Sequence, residues 1–372
     1  MEKEDLIRYS RHLALPDFTK ESQQKLKNSK VMVVGAGGLG SPVLLYLTAA
    51  GVGTIGIFDY DVVEISNLQR QVIFTEEDLG KPKAQAAAER LKLLNSTVKF
   101  NIYLDKLTSD NALQLLMPYD LIIDGTDNFP SRYLINDASV ILGKPFIYGS
   151  VYRYEGQVTV FNYLEDGGTR GPNYRDLFPQ PPPPDLIPNC EEGGVLGVMP
   201  GIIGTMQAAE ATKIITGIGE VLSGKLLIID IQTFQISKIK IHNKKDGTVI
   251  NKLIDYDEFC ATKSKNMFFG PKVKEMDSGE LKDLMDSGEE FQLIDVRESH
   301  EYDEDNLGGE LIPLGNILNE SAKIRKDVKV IVHCRSGARS AVAIKHLEKK
   351  FGFDNLYNLK GGIINWHTKF GN

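Results

Sequence analysis

Along the first part of the chain, short apolar runs rich in β-branched residues recur at wide intervals: Val31-Met32-Val33-Val34, Thr54-Ile55-Gly56-Ile57-Phe58, Leu121-Ile122-Ile123-Asp124 and Pro145-Phe146-Ile147-Tyr148-Gly149. Their length and composition predict strands buried on both faces. Between them, Val43 to Ala50, Ala84 to Leu94 and Ser131 to Leu142 have the length and composition of helices. That alternation predicts a doubly wound, Rossmann-like α/β domain with a mostly parallel sheet. From Val151 the pattern changes: Glu155 to Phe161 reads as antiparallel strand, and Leu226 to Ile241 as two more. The segment Gly201 to Thr216 is apolar nearly all round, which predicts a helix that is buried or sits at a subunit interface. Asp176 to Glu192 contains Pro181 to Pro184 and has no periodic apolar face, so it predicts an extended crossing segment, with Cys190 near its end.

The polar, lysine-rich stretch that follows predicts a linker over 246–272, dividing a front domain (1–245) from a smaller α/β domain (273–372). In the latter, Phe291 to Arg297 and Lys329 to His333 read as strands and Ala341 to Lys350 as a helix. A length of 372 residues suits two domains. The formal charge of −7 argues against a nucleic-acid or anionic-membrane partner. No apolar run approaches the ~18 residues a membrane helix needs, and the start of the chain is too charged for a signal peptide. Three cysteines are too few for a disulfide framework, so a reducing, cytoplasmic location is expected.

Candidate chemistry begins where the first strand ends. Gly35, Gly37, Gly38 and Gly40 follow it directly, and Ser41-Pro42 then suits an N-cap and a first helical position. Glycines are needed there for a tight turn, for close backbone approach to a phosphate and for helix packing; the exposed N–H groups favour an anion. Asp59 ends the second strand about 20 residues on, where such folds hold a ribose hydroxyl. The pattern therefore predicts an adenine-nucleotide site. Asn67, Arg70 and Lys83 add hydrogen-bonding and positive charge around it, and Asp127 offers a hard oxygen ligand for Mg2+.

A second candidate lies in the rear domain. Cys334-Arg335-Ser336-Gly337-Ala338-Arg339-Ser340 links a strand to a helix N-terminus, a setting that predicts a lowered thiol pKa and thiolate character. Phosphatases and rhodaneses both use such loops. Here four residues separate Cys334 from Arg339, one fewer than a phosphate-wrapping loop has. With Ile294 to Glu298, Ile312-Pro313-Leu314, Leu359-Lys360-Gly361-Gly362 and Trp366, the loop resembles a rhodanese domain. That resemblance implies a persulfide on Cys334, its sulfur held ionised by the loop N–H groups and by Arg335 or Arg339.

The front domain, through Arg8-Tyr9-Ser10-Arg11, Ser66 to Gln71, Gly80 to Lys83 and Gly125 to Asn128, resembles the MoeB/ThiF adenylyltransferases, relatives of ubiquitin-activating enzymes. The resemblance implies that Asp59 holds the ATP ribose, that Asn67, Arg70 and Lys83 bind phosphates, and that Asp127 positions Mg2+. It also implies that Arg11 reaches the triphosphate of a neighbouring subunit in a homodimer, and that Cys190 is the crossover-loop cysteine. The substrate implied is a small ubiquitin-like sulfur-carrier protein ending in Gly-Gly, with a persulfide donor such as a cysteine desulfurase; the pathway, molybdopterin, thiamine or another, stays open. Many members carry two Cys-x-x-Cys pairs for zinc; Asn173 to Asp176 stands at the first pair, so zinc is not expected. The alternatives are a conjugation-type activating enzyme that forms a thioester, and a nicotinamide-dependent oxidoreductase. No role follows for Cys260.

Overall fold

A computed structural model describes residues 2–181, 194–243, 249–260 and 273–371. The chain forms two compact units, the front one from described residues up to 260 and the rear one from 273 onward.

The front unit is built on one eight-stranded sheet of order β3-β2-β1-β4-β5-β6-β7-β8. β1 (Lys30–Val34), β2 (Thr54–Phe58), β3 (Lys99–Tyr103), β4 (Leu121–Asp124) and β5 (Phe146–Tyr152) run parallel; β6 (Glu155–Phe161), β7 (Lys225–Asp230) and β8 (Gln235–Lys240) complete it as an antiparallel meander. Alternation along β1 explains the two covering layers. Val31 and Val33, in register with Ile55 and Ile57, pack with Val43, Leu44 and Leu47 of the helix Gly40–Ala50. Met32 and Val34 face the other layer, with Phe58, Tyr119, Tyr133 and Leu134. These side chains are fully or almost fully buried, each worth about 1.5–3 kcal/mol relative to exposure. The helix Val198–Thr216 packs on β5, β6 and the helix Gly40–Ala50. No helix among the described residues is long and apolar enough to cross a membrane.

β3 was not anticipated. It is the sheet edge, and most of its Lys-Phe-Asn-Ile-Tyr side chains are exposed or half-exposed, so it lacks the apolar run that marks the interior strands. Ser41 also departs from expectation. The helix already starts at Gly40, and the Ser41 hydroxyl donates back to the Gly37 carbonyl (2.8 Å), so it does not cap the helix.

The expected linker is partly front-unit structure. Leu253, Ile254 and Phe259 pack against the second core layer and Tyr256 is buried in it, apolar positions masked in the sequence by the acids between them. The Tyr256 hydroxyl donates to Asp137 Oδ2 (2.8 Å), and Arg175 clamps the same carboxylate through Nε (2.8 Å) and Nη2 (2.7 Å). The Arg175 guanidinium lies 4.7 Å from the Phe259 ring centroid. Arg175 belongs to the short helix Tyr174–Leu177, capped by Asn173, at the position compared above with a zinc pair. The remainder of 246–272 lies outside the described residues.

The rear unit has a five-stranded parallel sheet of order β11-β10-β12-β13-β9: β9 (Glu275–Met276), β10 (Phe291–Asp295), β11 (Glu310–Leu311), β12 (Lys329–His333) and β13 (Leu356–Leu359). Only β10 and β12 stand out in sequence, because the other strands are two to four residues long. Asp295 and Arg297 form a buried bidentate pair through Nε (2.9 Å) and Nη2 (2.7 Å) to Oδ2. His333 is fully buried nearby, its Nε2 3.7 Å from Asp295 Oδ2, and neither ring nitrogen has a hydrogen-bond partner.

Two predictions follow from this packing. Tyr256→Phe is expected to destabilise the front unit by about 1 kcal/mol. Arg175→Leu, which strands the Asp137 carboxylate, should cost about 3–5 kcal/mol. Urea unfolding followed by far-UV circular dichroism should register both losses, whereas the fluorescence transition of Trp366, the chain's single tryptophan, should not move; an unshifted dichroism transition for both variants would mean that 249–260 is linker after all. The second concerns pH. Burial pushes the His333 imidazole down to about 4 from 6.5, so between those values the unfolded chain binds the extra proton. Stability is full above pH 6.5 and declines as pH falls toward 4, by on the order of 3 kcal/mol. His333→Asn should flatten that dependence in the Trp366 transition.

Candidate functional site

The carboxyl ends of β1, β2 and β4 open into a cleft. Its floor is set by close backbone approach. Gly35 has φ +95°, and a Cβ there would lie 2.6 Å from the Gly125 carbonyl oxygen; a Cβ on Gly40 would lie 1.9 Å from the Gly35 oxygen. Gly40 is thus the glycine that lets the helix sit on the strand turn, while Gly35, Gly37 and Gly38 line the cleft.

Asp59, Arg70, Lys83 and Asp127 also line it. Asp59 Oδ2 accepts from the Ala36 N–H (2.8 Å) and Oδ1 from the Asp61 N–H (2.9 Å), so this carboxylate ties the glycine turn to β2. Burial pushes its carboxyl up, opposed by those two N–H groups and by the Lys83 charge. Lys83 is buried and donates to Asp61 Oδ2 (3.1 Å). Arg70 donates from Nη1 to the Ser66 carbonyl (2.9 Å). Asp127 is exposed at the rim. Oxygen-rich anions entering the cleft meet backbone N–H groups, an ammonium and a guanidinium in one place.

Three expected residues stand elsewhere. Asn67 is buried, and its side chain is turned to its own loop, accepting from the Glu64 N–H (3.2 Å), rather than lining the cleft. Gly40 acts by packing. Arg11 is exposed on the helix Ser10–Leu13 and contributes no cleft surface within one chain. Cys190 lies outside the described residues.

The sequence did not single out Asp124 and Arg132. Asp124 is fully buried, and its Oδ1 accepts from both the N–H (2.8 Å) and the hydroxyl (2.6 Å) of Thr126. Arg132 lines the cleft, donates from Nη2 to the Thr126 carbonyl (3.1 Å), and places Nε 3.4 Å from Asp124 Oδ2. Burial pushes the Asp124 carboxyl up and the Arg132 charge opposes it. Together they grip both sides of Thr126 and so fix the residue before Asp127. The one signal available was spacing: Arg132 falls on the first turn of the helix Phe129–Leu142, which Asn128 caps.

In the rear unit Cys334 is buried at the end of β12. Its sulfur accepts from the Gly337 N–H (3.2 Å) and, more distantly, from the Ser340 hydroxyl (3.5 Å). The loop is held from behind: the N–H groups of Ile363 and Ile364 donate to the carbonyls of Cys334 (2.9 Å) and Arg335 (3.2 Å). Gly362, at φ +60°, sits so close that a Cβ would lie 2.4 Å from the Cys334 oxygen. Arg339 has a carboxylate partner that the sequence did not show. Its guanidinium is paired bidentately with Glu301, Nη1 to Oε2 (2.7 Å) and Nη2 to Oε1 (2.8 Å). Arg335 is exposed.

Gly362→Ala should therefore displace the cysteine loop. Sulfur transfer to cyanide is expected to fall at least tenfold, a barrier increase of about 1.4 kcal/mol, with ATP–pyrophosphate exchange unchanged. Unaltered sulfur transfer would show that the backbone clasp is dispensable.

Comparison with known proteins places both units. The ThiF family model matches residues 9–249 and the rhodanese-like domain model residues 277–369. Over 370 residues the chain is 45% identical to the probable adenylyltransferase/sulfurtransferase MoeZ of Mycobacterium tuberculosis, covering 98% of this chain and 94% of the relative. It is 49% identical over 267 residues to the sulfur carrier protein adenylyltransferase of Thermus thermophilus, covering 70% and 98%. A crystal structure of E. coli MccB shares the fold, with TM-score 0.56 and 23% identity over 65% of this chain and 74% of that one. The chain belongs to the ThiF family, as a member carrying a C-terminal rhodanese-like domain, and is an enzyme of adenylyl and sulfur transfer.

Proposed function

We propose that the front unit adenylates the C-terminal Gly-Gly carboxylate of a small ubiquitin-like sulfur-carrier protein and that the rear unit then converts it to a thiocarboxylate. The observation that carries the first half is the convergence of Gly35, Gly37, Gly38, Asp59, Arg70, Lys83 and Asp127 on one cleft at the carboxyl ends of parallel strands. The carboxylate attacks the α-phosphate of ATP and pyrophosphate leaves. Two anions must meet, so Arg70 and Lys83 offset their repulsion and the charge that grows on the leaving group. A nicotinamide enzyme would have no use for that cationic wall.

Two exposed carboxylates line the cleft, Asp127 and the Lys83-paired Asp61, and no cluster of three or more metal-binding side chains occurs among the described residues. With Asp61 taken by Lys83, Asp127 is the carboxylate left for Mg2+ that arrives on nucleotide phosphates and keeps its waters. There the ion would supply charge neutralisation on the triphosphate; Asp127 would hold it and the Asp124–Arg132 grip on Thr126 would hold Asp127.

In the second half, a persulfide on Cys334, loaded by a donor such as a cysteine desulfurase, attacks the acyl-adenylate. An acyl disulfide forms and AMP leaves. The Cys190 thiolate then attacks the inner sulfur at Cys334, releasing the thiocarboxylate and leaving a Cys190–Cys334 disulfide for cellular thiols to reduce. Buried Cys334, with the Gly337 N–H on its sulfur, supports this assignment. The exposed Arg11 supports a homodimer in which it completes the neighbour's cleft.

Replacing Cys190 and Cys334 together should leave carrier-dependent ATP–pyrophosphate exchange within about twofold, whereas Asp127→Ala should remove it, by roughly 100-fold or more. Mixing Arg11→Ala with Asp127→Ala subunits should restore part of the activity. Mass spectrometry of the carrier after one turnover decides the chemistry: a gained sulfur supports the reading, and a thioester to Cys190 with no sulfur gained points to a conjugation-type enzyme.

A further inference from the structure

The Arg339–Glu301 pair bears on which sulfur donor the rear unit accepts. Glu301 lies on the helix Ser299–Glu304, and its carboxylate takes both terminal nitrogens of Arg339 and the Glu298 N–H (3.0 Å). Burial would raise its carboxyl, but the Arg339 and Glu298 hydrogen bonds hold it below the usual range. The pair is thus ionised and electrically neutral as a unit. Arg297, whose charge also acts on Glu301, is likewise matched by Asp295. Asp303 and Glu304 add exposed negative charge on the Glu301 helix. Among the described residues Arg335 is the loop cation without a carboxylate partner.

A doubly charged donor gains twice as much from a free guanidinium as a singly charged one, and loses twice as much when a carboxylate cancels it. We propose that Glu301 is a specificity-determining residue that sets the donor charge, selecting singly charged or neutral sulfane-sulfur carriers such as persulfides over the thiosulfate dianion. This rests on the assignment of the persulfide to Cys334. The loading step is the same in each case: the Cys334 thiolate attacks the outer sulfur of the donor, the donor S–S bond breaks, and the electron pair leaves with sulfite from thiosulfate or with sulfinate from a thiosulfonate. Cyanide then removes the outer sulfur as thiocyanate and returns the thiolate.

The test uses the full chain with cyanide as acceptor and compares kcat/KM for thiosulfate with that for methanethiosulfonate, a monoanion. In Glu301→Gln, which keeps the shape and a hydrogen bond to Arg339, the thiosulfate/methanethiosulfonate ratio should rise roughly tenfold, and the rise should shrink in about 1 M salt, where the screening length falls to ~3 Å. Arg339→Gln, which leaves the Glu301 charge uncancelled, should move the ratio the other way. Because the ratio divides out losses common to both donors, a merely structural defect leaves it still. Ratios within twofold of the parent in both variants, with Trp366 fluorescence unchanged, would overturn the proposal alone. Thiocyanate formation surviving in Cys334→Ala would instead remove the cysteine assignment on which it rests.

Discussion

The carbonyl oxygen of Gly35 occupies space that a side chain on Gly40 or on Gly125 would need. That single peptide brings three segments together: the turn after β1, the start of the covering helix and the loop after β4. The Gly35 N–H donates to the Phe58 carbonyl and the Gly125 N–H to that of Val34, both at 2.7 Å, so the ends of three neighbouring strands are pinned at one level. Everything the cleft offers hangs from those ends. Asp59 follows β2, and the Thr126–Asp127 pair follows Gly125. Any side chain at these glycines would spread the strand ends and dismantle the anion site without touching a charged residue.

The rear unit solves a related problem with different means. A sulfur nucleophile needs donors on the thiol and a rigid loop around it. The donors come from Gly337 and Ser340, and the rigidity from a backbone clasp between Ile363–Ile364 and Cys334–Arg335. Positive charge is handled sparingly: of the two arginines on the loop, one is cancelled by Glu301. The front unit brings Arg70, Lys83 and Arg132 to one cleft, with Lys83 and Arg132 likewise matched by Asp61 and Asp124.

Much of this was legible in the sequence, for a physical reason. Strands buried on both faces are unbroken apolar runs, and glycines forced by close approach have no substitute, so β1, β2, β4 and the phosphate turn announced themselves. What stayed hidden was set by tertiary partners. β3 is a strand only because β2 offers it an edge. Asn67 carries the right chemistry but spends it on its own turn, and Arg339 looked available because its partner Glu301 lies 38 residues away. Tyr256 and Phe259, isolated among acids, read as linker until Asp137 and Arg175 are set beside them. Local pattern reports burial well and pairing poorly.

The clasp on the cysteine loop carries a temporal consequence. Its donors, Ile363 and Ile364, lie about thirty residues beyond Cys334. During synthesis the nucleophile leaves the ribosome before the segment that shapes it, while the nucleotide cleft is already complete in the chain ahead. A polypeptide cut between Cys334 and Ile363 would thus retain the machinery that consumes ATP and lose the loop geometry that makes use of the product. The order of these segments along the chain makes the sulfur site the later of the two to be completed.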